Sequence, residues 1–307
     1  MKFPLILIVF ISSAAMAQQR ADTTLSPIIA KPRYQEGRGP VILLDEAHFN
    51  FHTTTGRFRP FAEFLRRDGY IVKGNRSHFS KDALSGVRIL VIANALNAVN
   101  EEQWTLPTPS AFTDDEIKFL KSWVTDGGSL FLIADHMPFP GASEKLASEF
   151  GFTFYNAFAM RKGGTNSVGG ALRIPDIFTP GNGLIEGPIT TGKNDNERVS
   201  SVRTFTGQAF GIPKAAVPII VLDEQFELLL PKTAWEFAEN TTVKPAAGLV
   251  QGACMETGKG RIAVFGEAAM FSAQIQRDSV RMGMNAPDAK QNPQFLLNII
   301  HWLEDRK

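Results

Sequence analysis

Four short apolar runs in this chain each stop at side chains able to do chemistry. Val41 to Leu44 is followed by Asp45, Glu46, His48, Asn50 and His52; Arg88 to Ala93 by Asn94; Leu130 to Ala134 by Asp135 and His136; and IAVFG by Glu267. Imidazole and carboxylate groups together suit a divalent metal such as zinc, iron or manganese, and His48, His52, Asp135 and His136 are the candidate ligands. No HExxH or His-x-His spacing singles out a set, and His48 and His52 stand in a Thr-rich loop ahead of the next helix. The same groups suit general acid and base catalysis, which needs a pKa near the working pH of the kind a half-buried strand end supplies. Glu46, His48, Asp135 and His136 are then the candidate catalytic residues, with Asp45, Asn94 and Glu267 placed to bind a ligand. Equally, these side chains can tie strand ends by accepting backbone N–H groups. Asp135 and His136 are adjacent, so on an extended chain they point to opposite faces and meet only if the turn bends them together.

Covalent catalysis has less support. No G-x-S-x-G or G-x-C-x-G elbow occurs, and the single cysteine, Cys254, lies in QGACMETG with Glu256 where the second glycine would stand. It reads as a buried small hydrophobe. The glycine-rich RKGGTNSVGG has neither the spacing nor the strand-to-helix context of a phosphate loop. Arg57, Arg59, Arg66 and Arg67 fall on or beside one helical pattern and read as a solvated face.

These side chains form a site only if the strands carry them to one place. An unbroken apolar run is how a strand covered on both faces of a parallel sheet reads. Between the runs lie helical patterns. RFRPFAEFLRRDGY sets Phe58, Phe61, Phe64 and Leu65 on one face and stops at Gly69; TDDEIKFLKSWVTDGG opens with a Thr113/Glu116 capping box; Gly141 to Phe150 gives another helix; and QNPQFLLNIIHWLEDRK closes the chain. Strand, helix, strand is the unit of a parallel α/β sheet, whose strands share a carboxyl edge where such folds take ligands. Residues 156 to 216 are punctuated by glycine and read either as surface loops and small hairpins or as a flap over the site. Strand signals resume at Val217 to Leu222 and Phe226 to Leu230, and a hairpin turns at Thr257-Gly258.

With 32 Lys and Arg against 31 Asp and Glu the 307-residue chain has a net charge of +1, which gives no bias toward nucleic acid or a membrane surface. MKFPLILIVFISSAAMAQQ has the layout of a secretory signal peptide with cleavage expected after Ala17. No cysteine stands near that point to take a lipid, and no later run approaches spanning length, so no membrane anchor is expected after cleavage. The expected location is periplasmic or secreted, with residues 18 to 38 an irregular leader and residues 39 to 307 a single domain.

DEAHFN after the first strand, TDDEIKFLKSWVTDGGSLFLIADH, the EFGFTF that follows it and VFGEAAMFSAQ near the end together resemble an exported bacterial group of the class I glutamine amidotransferase-like superfamily, over most of residues 40 to 304. The resemblance implies a flavodoxin-like, doubly wound, mostly parallel sheet with a loop and β-hairpin insertion at about 156 to 255, and a site at the strand ends. It carries over no nucleophile, because glutaminases of that superfamily keep a cysteine at the strand-to-helix elbow, and Asp135-His136-Met137 has none. The expected function is hydrolase-like action on a small polar ligand, a sugar or cell-wall fragment, without glutaminase activity. The alternative is a non-catalytic module that binds a carbohydrate, peptide or partner protein on the same edge. A divalent metal is the one cofactor the residues suggest.

Overall fold

Five parallel strands carry the middle of the molecule, and their order decides which loops meet. The computed structural model describes residues 19–163, 175–276 and 279–305. In chain order the elements are β1 (Gln19–Ala21), β2 (Val41–Asp45), α1 (Arg59–Arg67), β3 (Ile71–Asn75), β4 (Val87–Ala93), α2 (Asp114–Thr125), β5 (Ser129–Ile133), α3 (Phe139–Glu149), β6 (Phe158–Arg161), β7 (Asp176–Pro180), β8 (Gly183–Leu184), α4 (Pro188–Thr191), β9 (Val202–Thr204), β10 (Val217–Val221), β11 (Phe226–Leu230), β12 (Thr242–Pro245), β13 (Val250–Thr257), β14 (Gly260–Phe265), β15 (Ala273–Gln276), β16 (Val280–Gly283) and α5 (Asn292–Glu304). The central sheet has ten strands in the order β3-β2-β4-β5-β14-β13-β10-β8-β7-β9. Neighbours from β3 through β14 pair in parallel. The β13–β14 hairpin then reverses direction, with Thr257 opposite Gly260.

Alternation along the parallel strands divides the core in two, which is why their sequences are apolar without interruption. Ile42, Leu44, Ile89, Val91, Phe131 and Ile133 share one cluster with Phe61 and Leu65 of α1 and Phe295 and Ile299 of α5. Leu43, Leu90, Ile92, Leu130 and Leu132 share the other with Ile117, Leu120 and Val124 of α2 and Leu146 of α3. Each such side chain contributes about 1.5–3 kcal/mol by leaving water. The result is a mixed α/β architecture with helices on both faces of a sheet that is parallel at its centre. At the start of β14, a Cβ on Gly260 would overlap the Val124 and Gly128 carbonyls, so only glycine lets the hairpin pass α2.

Two regions differ from the sequence expectation. The described part of residues 156 to 216 holds more than loops: β7, β8 and β9 extend the central sheet, and β6 joins β11 and β12 in a separate three-stranded sheet. The leader is not irregular throughout, because β1 pairs antiparallel with β15 and buried Asp22 accepts from Asn285 Nδ2 at 2.9 Å. Three-residue strands draw their hydrogen bonds from distant partners, so no local pattern announces them. The expected signal peptide, residues 1 to 17, and Gly164, Gly169 and Gly170 lie outside the described residues. Among the described residues no helix is long and apolar enough to cross a membrane.

Candidate functional site

The ends of β4, β5 and β14 are tied together by the side chains that the sequence marks there. Asn94, with a left-handed φ of 52° that asparagine tolerates, accepts the Asp135 N–H on Oδ1 at 2.9 Å. Asp135 accepts from the backbone N–H of His136 (2.7 Å) and of Ala268 (3.2 Å). Glu267 accepts from Ala269 and Met270 N–H at 2.7 and 2.8 Å. The loop after β2 is latched to the loop after β4 by Phe51 N–H on the Asn94 carbonyl (3.0 Å) and Leu96 N–H on the His48 carbonyl (2.8 Å). Glu46 braces the first of these loops, accepting from Thr54 N–H and Oγ1 at 2.7 and 2.6 Å. Its carboxyl lies against Gly74, where a Cβ would come within 2.6 Å of it.

Inside this frame two clusters of ionisable groups form. The first centres on His48, 3% exposed, whose Nδ1 lies 3.0 and 2.9 Å from the two Asp45 oxygens and whose Nε2 lies 3.1 Å from Glu116 Oε1. Phe79 and Phe112 flank its ring, with centroids 4.7 and 4.8 Å away. Glu116 belongs to the first turn of α2. Its Oε2 accepts from Thr113 N–H and Oγ1. Its Oε1 accepts the Phe79 N–H at 3.0 Å and stands 3.0 Å from His78 Nδ1. Burial opposes ionisation of Glu116, but the Thr113 and Phe79 N–H groups and the charge of His48 outweigh it and hold the carboxyl at about 2. For His48, burial favours the neutral ring and is outweighed by Asp45 and Glu116, so its pKa is raised. Among the described residues His48, His78 and Glu116 could hold a metal ion: each offers a ligand atom, all within 4.8 Å of one another.

The second cluster centres on His136, 9% exposed, whose ring stacks on Phe158 at 4.5 Å and meets the edge of Trp235 at 4.6 Å, with Trp104 5.9 Å away. Nδ1 lies 2.7 Å from the Met137 carbonyl. A carbonyl only accepts, so Nδ1 carries the hydrogen and Nε2 the lone pair. Burial outweighs the nearby Asp135 charge and lowers the pKa of this imidazole. His52, 3% exposed, stacks on Phe58 at 4.3 Å, and its Nδ1 has no partner among the described residues. Burial, with Arg57 and His136, brings it down to about 3. Arg57 lies with Cζ 3.8 Å above the Phe51 ring, and its buried Nε has no acceptor among the described residues. Burial lowers its pKa. Trp235 adopts a φ of 68°, rare for a bulky residue and of the kind held at ligand sites.

The expected catalytic set is therefore not assembled as one group. Among the described residues no side-chain to side-chain hydrogen bond joins Glu46, His48, Asp135 and His136, because Glu46 and Asp135 accept from loop N–H groups instead. Among the described residues, His48 alone of the four proposed metal ligands lies in a ligand set; His52 feels the positive charge of Arg57, and His136 Nδ1 is committed to a carbonyl. Sequence reasoning missed Glu116, His78, Trp104 and Trp235, and read Arg57 as solvated. Two signals were present: His78 stands three residues past the carboxyl end of β3, and Glu116 opens the helix that follows β4. Cys254 sits in mid-strand in β13, 2% exposed, where burial pushes its thiol up to about 12.

No family model and no curated protein matches the chain. Among solved structures it is similar to the mmIFT52 N-terminal domain, at 15% identity and a TM-score of 0.60, covering 86% of this chain and 97% of that one. It is also similar to a putative ThuA-like protein from Bacteroides uniformis, at 12% identity and a TM-score of 0.47, covering 91% and 94%. At such identities the likeness concerns the fold alone, and only the first is near enough to bear on it.

Proposed function

We propose that the chain is an exported protein that binds a small polar ligand carrying an anionic group, a sugar acid or cell-wall fragment, at the carboxyl edge of its sheet. The observation that carries this reading is Arg57: a guanidinium partly removed from water, its Nε buried without an acceptor among the described residues, acting on the neighbouring His52 imidazole, whose pKa is lowered. A desolvated cation with no counter-charge is costly, and an incoming carboxylate or phosphate would relieve that cost. Half-buried Phe51, under Arg57, and Trp104, which meets Phe51, offer apolar faces for a ring beside it.

The same proposal includes the finer fold assignment. The five parallel strands run in the spatial order second, first, third, fourth, fifth, the order of flavodoxin-like doubly wound sheets, which supports the class I glutamine amidotransferase-like resemblance. In that order the ligand crevice lies between β2 and β4, whose following loops carry Arg57, His52 and Trp104. Burial of the Cys254 thiol supports a reading without glutaminase chemistry. Export to the periplasm or medium rests on the signal-peptide layout of residues 1 to 17.

Binding without turnover fits the geometry better than hydrolysis, since Glu46 and Asp135 are engaged by backbone N–H groups. Hydrolase-like action keeps one specific support, the Nε2 lone pair of His136, which is placed as a general base would be. Calorimetric titration with glucuronate, N-acetylmuramic acid and uncharged glucose separates the outcomes. The acids are expected to bind and glucose to bind at least about tenfold more weakly; Arg57→Gln should lose about 10- to 100-fold for the acids, the worth of a charge-assisted hydrogen bond. Equal affinity in the variant would overturn the reading. Turnover of a chromogenic glycoside that disappears in His136→Ala would favour the hydrolase.

A further inference from the structure

We propose that His48, His78 and Glu116 form a binding site for a divalent transition metal of the zinc type, with Asp45 orienting His48. This site is distinct from the anion site at Arg57, whose positive charge disfavours a metal ion beside it.

Geometry comes first. Zinc bonds of about 2.0–2.2 Å place neighbouring donors of a tetrahedron roughly 3.3 Å apart. His48 Nε2 and His78 Nδ1 already stand 3.1 and 3.0 Å from Glu116 Oε1, and all three ligand atoms lie within 4.8 Å of one another. The adjustment left is a rotation of the His78 imidazole, which is 79% exposed and free to make it.

The support behind the ligands is of the kind metal sites use. A ligating histidine donates its other ring N–H to a carboxylate or carbonyl, which fixes the tautomer and raises its basicity. Asp45, wholly buried at the end of β2, receives His48 Nδ1 at 2.9 and 3.0 Å and leaves Nε2 for the metal. The His48 backbone is pinned by Asn50 Oδ1 at 3.0 Å and by Leu96 N–H at 2.8 Å. Glu116 is aimed by the capping box of α2, which uses Oε2 and directs Oε1 at the two imidazoles. Two imidazoles and one carboxylate suit zinc and its first-row neighbours, and three protein donors leave a position for water or a ligand oxygen. Each donor comes from a different segment of the carboxyl edge: the loop after β2, the loop after β3 and the helix after β4. Such a site exists only in the folded chain.

The competing arrangement is a protonated His48 bridging Asp45 and Glu116 with no metal. The test uses the mature chain without an affinity tag. Calorimetric titration with Zn2+ is expected to give one ion per chain, and titration with Co2+ the intense visible absorption of a four-coordinate ion. His78→Ala, at an exposed side chain, is expected to keep the metal-free unfolding midpoint of the wild type and to weaken Zn2+ binding about tenfold or more. A wild-type chain that takes up no stoichiometric Zn2+ would overturn the proposal. So would a His78→Ala chain that binds it as tightly as wild type.

Discussion

Two histidines four residues apart, His48 and His52, end in opposite electrostatic surroundings. His48 stands between two carboxylates and its pKa is raised; His52 is stacked on Phe58, near Arg57, and burial first, then the Arg57 and His136 charges, bring it down to about 3 from the ordinary 6.5. The second has a measurable consequence. Because the unfolded chain takes up this proton more readily than the folded one, the stability His52 confers is complete above about pH 6.5 and drains away as pH falls toward 3. At pH 4.5 the loss from this residue is about 2–3 kcal/mol. His52→Phe keeps the stacking shape and removes the titration, so urea unfolding at pH 7 and 4.5 should show a smaller acid loss in the variant by about that amount. An equal loss in both proteins would mean that His52 is not held neutral.

At the scale of elements, the amino terminus of α2 does more than begin a helix. Thr113 Oγ1 accepts the Glu116 N–H at 3.2 Å while Glu116 Oε2 accepts the Thr113 N–H at 3.1 Å, so two otherwise orphaned donors are satisfied at once. The same carboxylate holds the Phe79 N–H and faces His48 and His78, which couples the start of α2 to the loops after β2 and β3. Thr113→Ala is expected to cost about 1–2 kcal/mol, and Thr113→Ser to cost much less. Urea midpoints of the two variants check this, and an alanine variant as stable as the serine one would remove the cap from the account.

At the scale of the molecule, the end of the chain is stitched to its early part on the edge of the sheet opposite the candidate site. Glu304, at the end of α5, takes the Tyr70 hydroxyl at 2.6 Å, the Tyr34 hydroxyl on its other oxygen and the Arg33 guanidinium at 2.5 Å. Arg88, at the start of β4, donates to the Glu304 carbonyl at 2.6 Å from Nη2 and 3.0 Å from Nε. His301 Nε2 lies 2.7 Å from Asp68 Oδ2, whose other oxygen accepts the Arg33 N–H at 2.8 Å. Glu304→Ala would take the acceptor from the Tyr34 and Tyr70 hydroxyls and leave the Arg33 guanidinium on Asp305, at a cost of about 3 kcal/mol. A fall in the chemical unfolding midpoint without change in the Arg57 or His78 binding readouts is the expected result. Loss of ligand or metal binding at unchanged stability would contradict this separation of the two edges.

By itself the sequence determined the parallel strands and the edge where their polar ends gather. A strand buried on both faces must be apolar along its whole length, so β2, β4 and β5 could be read directly, as could α2 from its cap and α5 from its inward stripe. It also marked Asp45, Asn94, Asp135 and Glu267 at strand ends, and left open whether they would act as site groups or as ties. Only the tertiary structure decided which groups have no partner and which share one. Hydrogen-bond satisfaction depends on what the fold brings near: Asp135 is engaged by Ala268 from far along the chain, whereas among the described residues His52 Nδ1 and Arg57 Nε have no partner. Trp235 reaches His136 across about a hundred residues, and His78 meets Glu116 because β3 and β4 flank β2. Local pattern encodes burial along one element; the charge state of a side chain is set by what the fold places beside it.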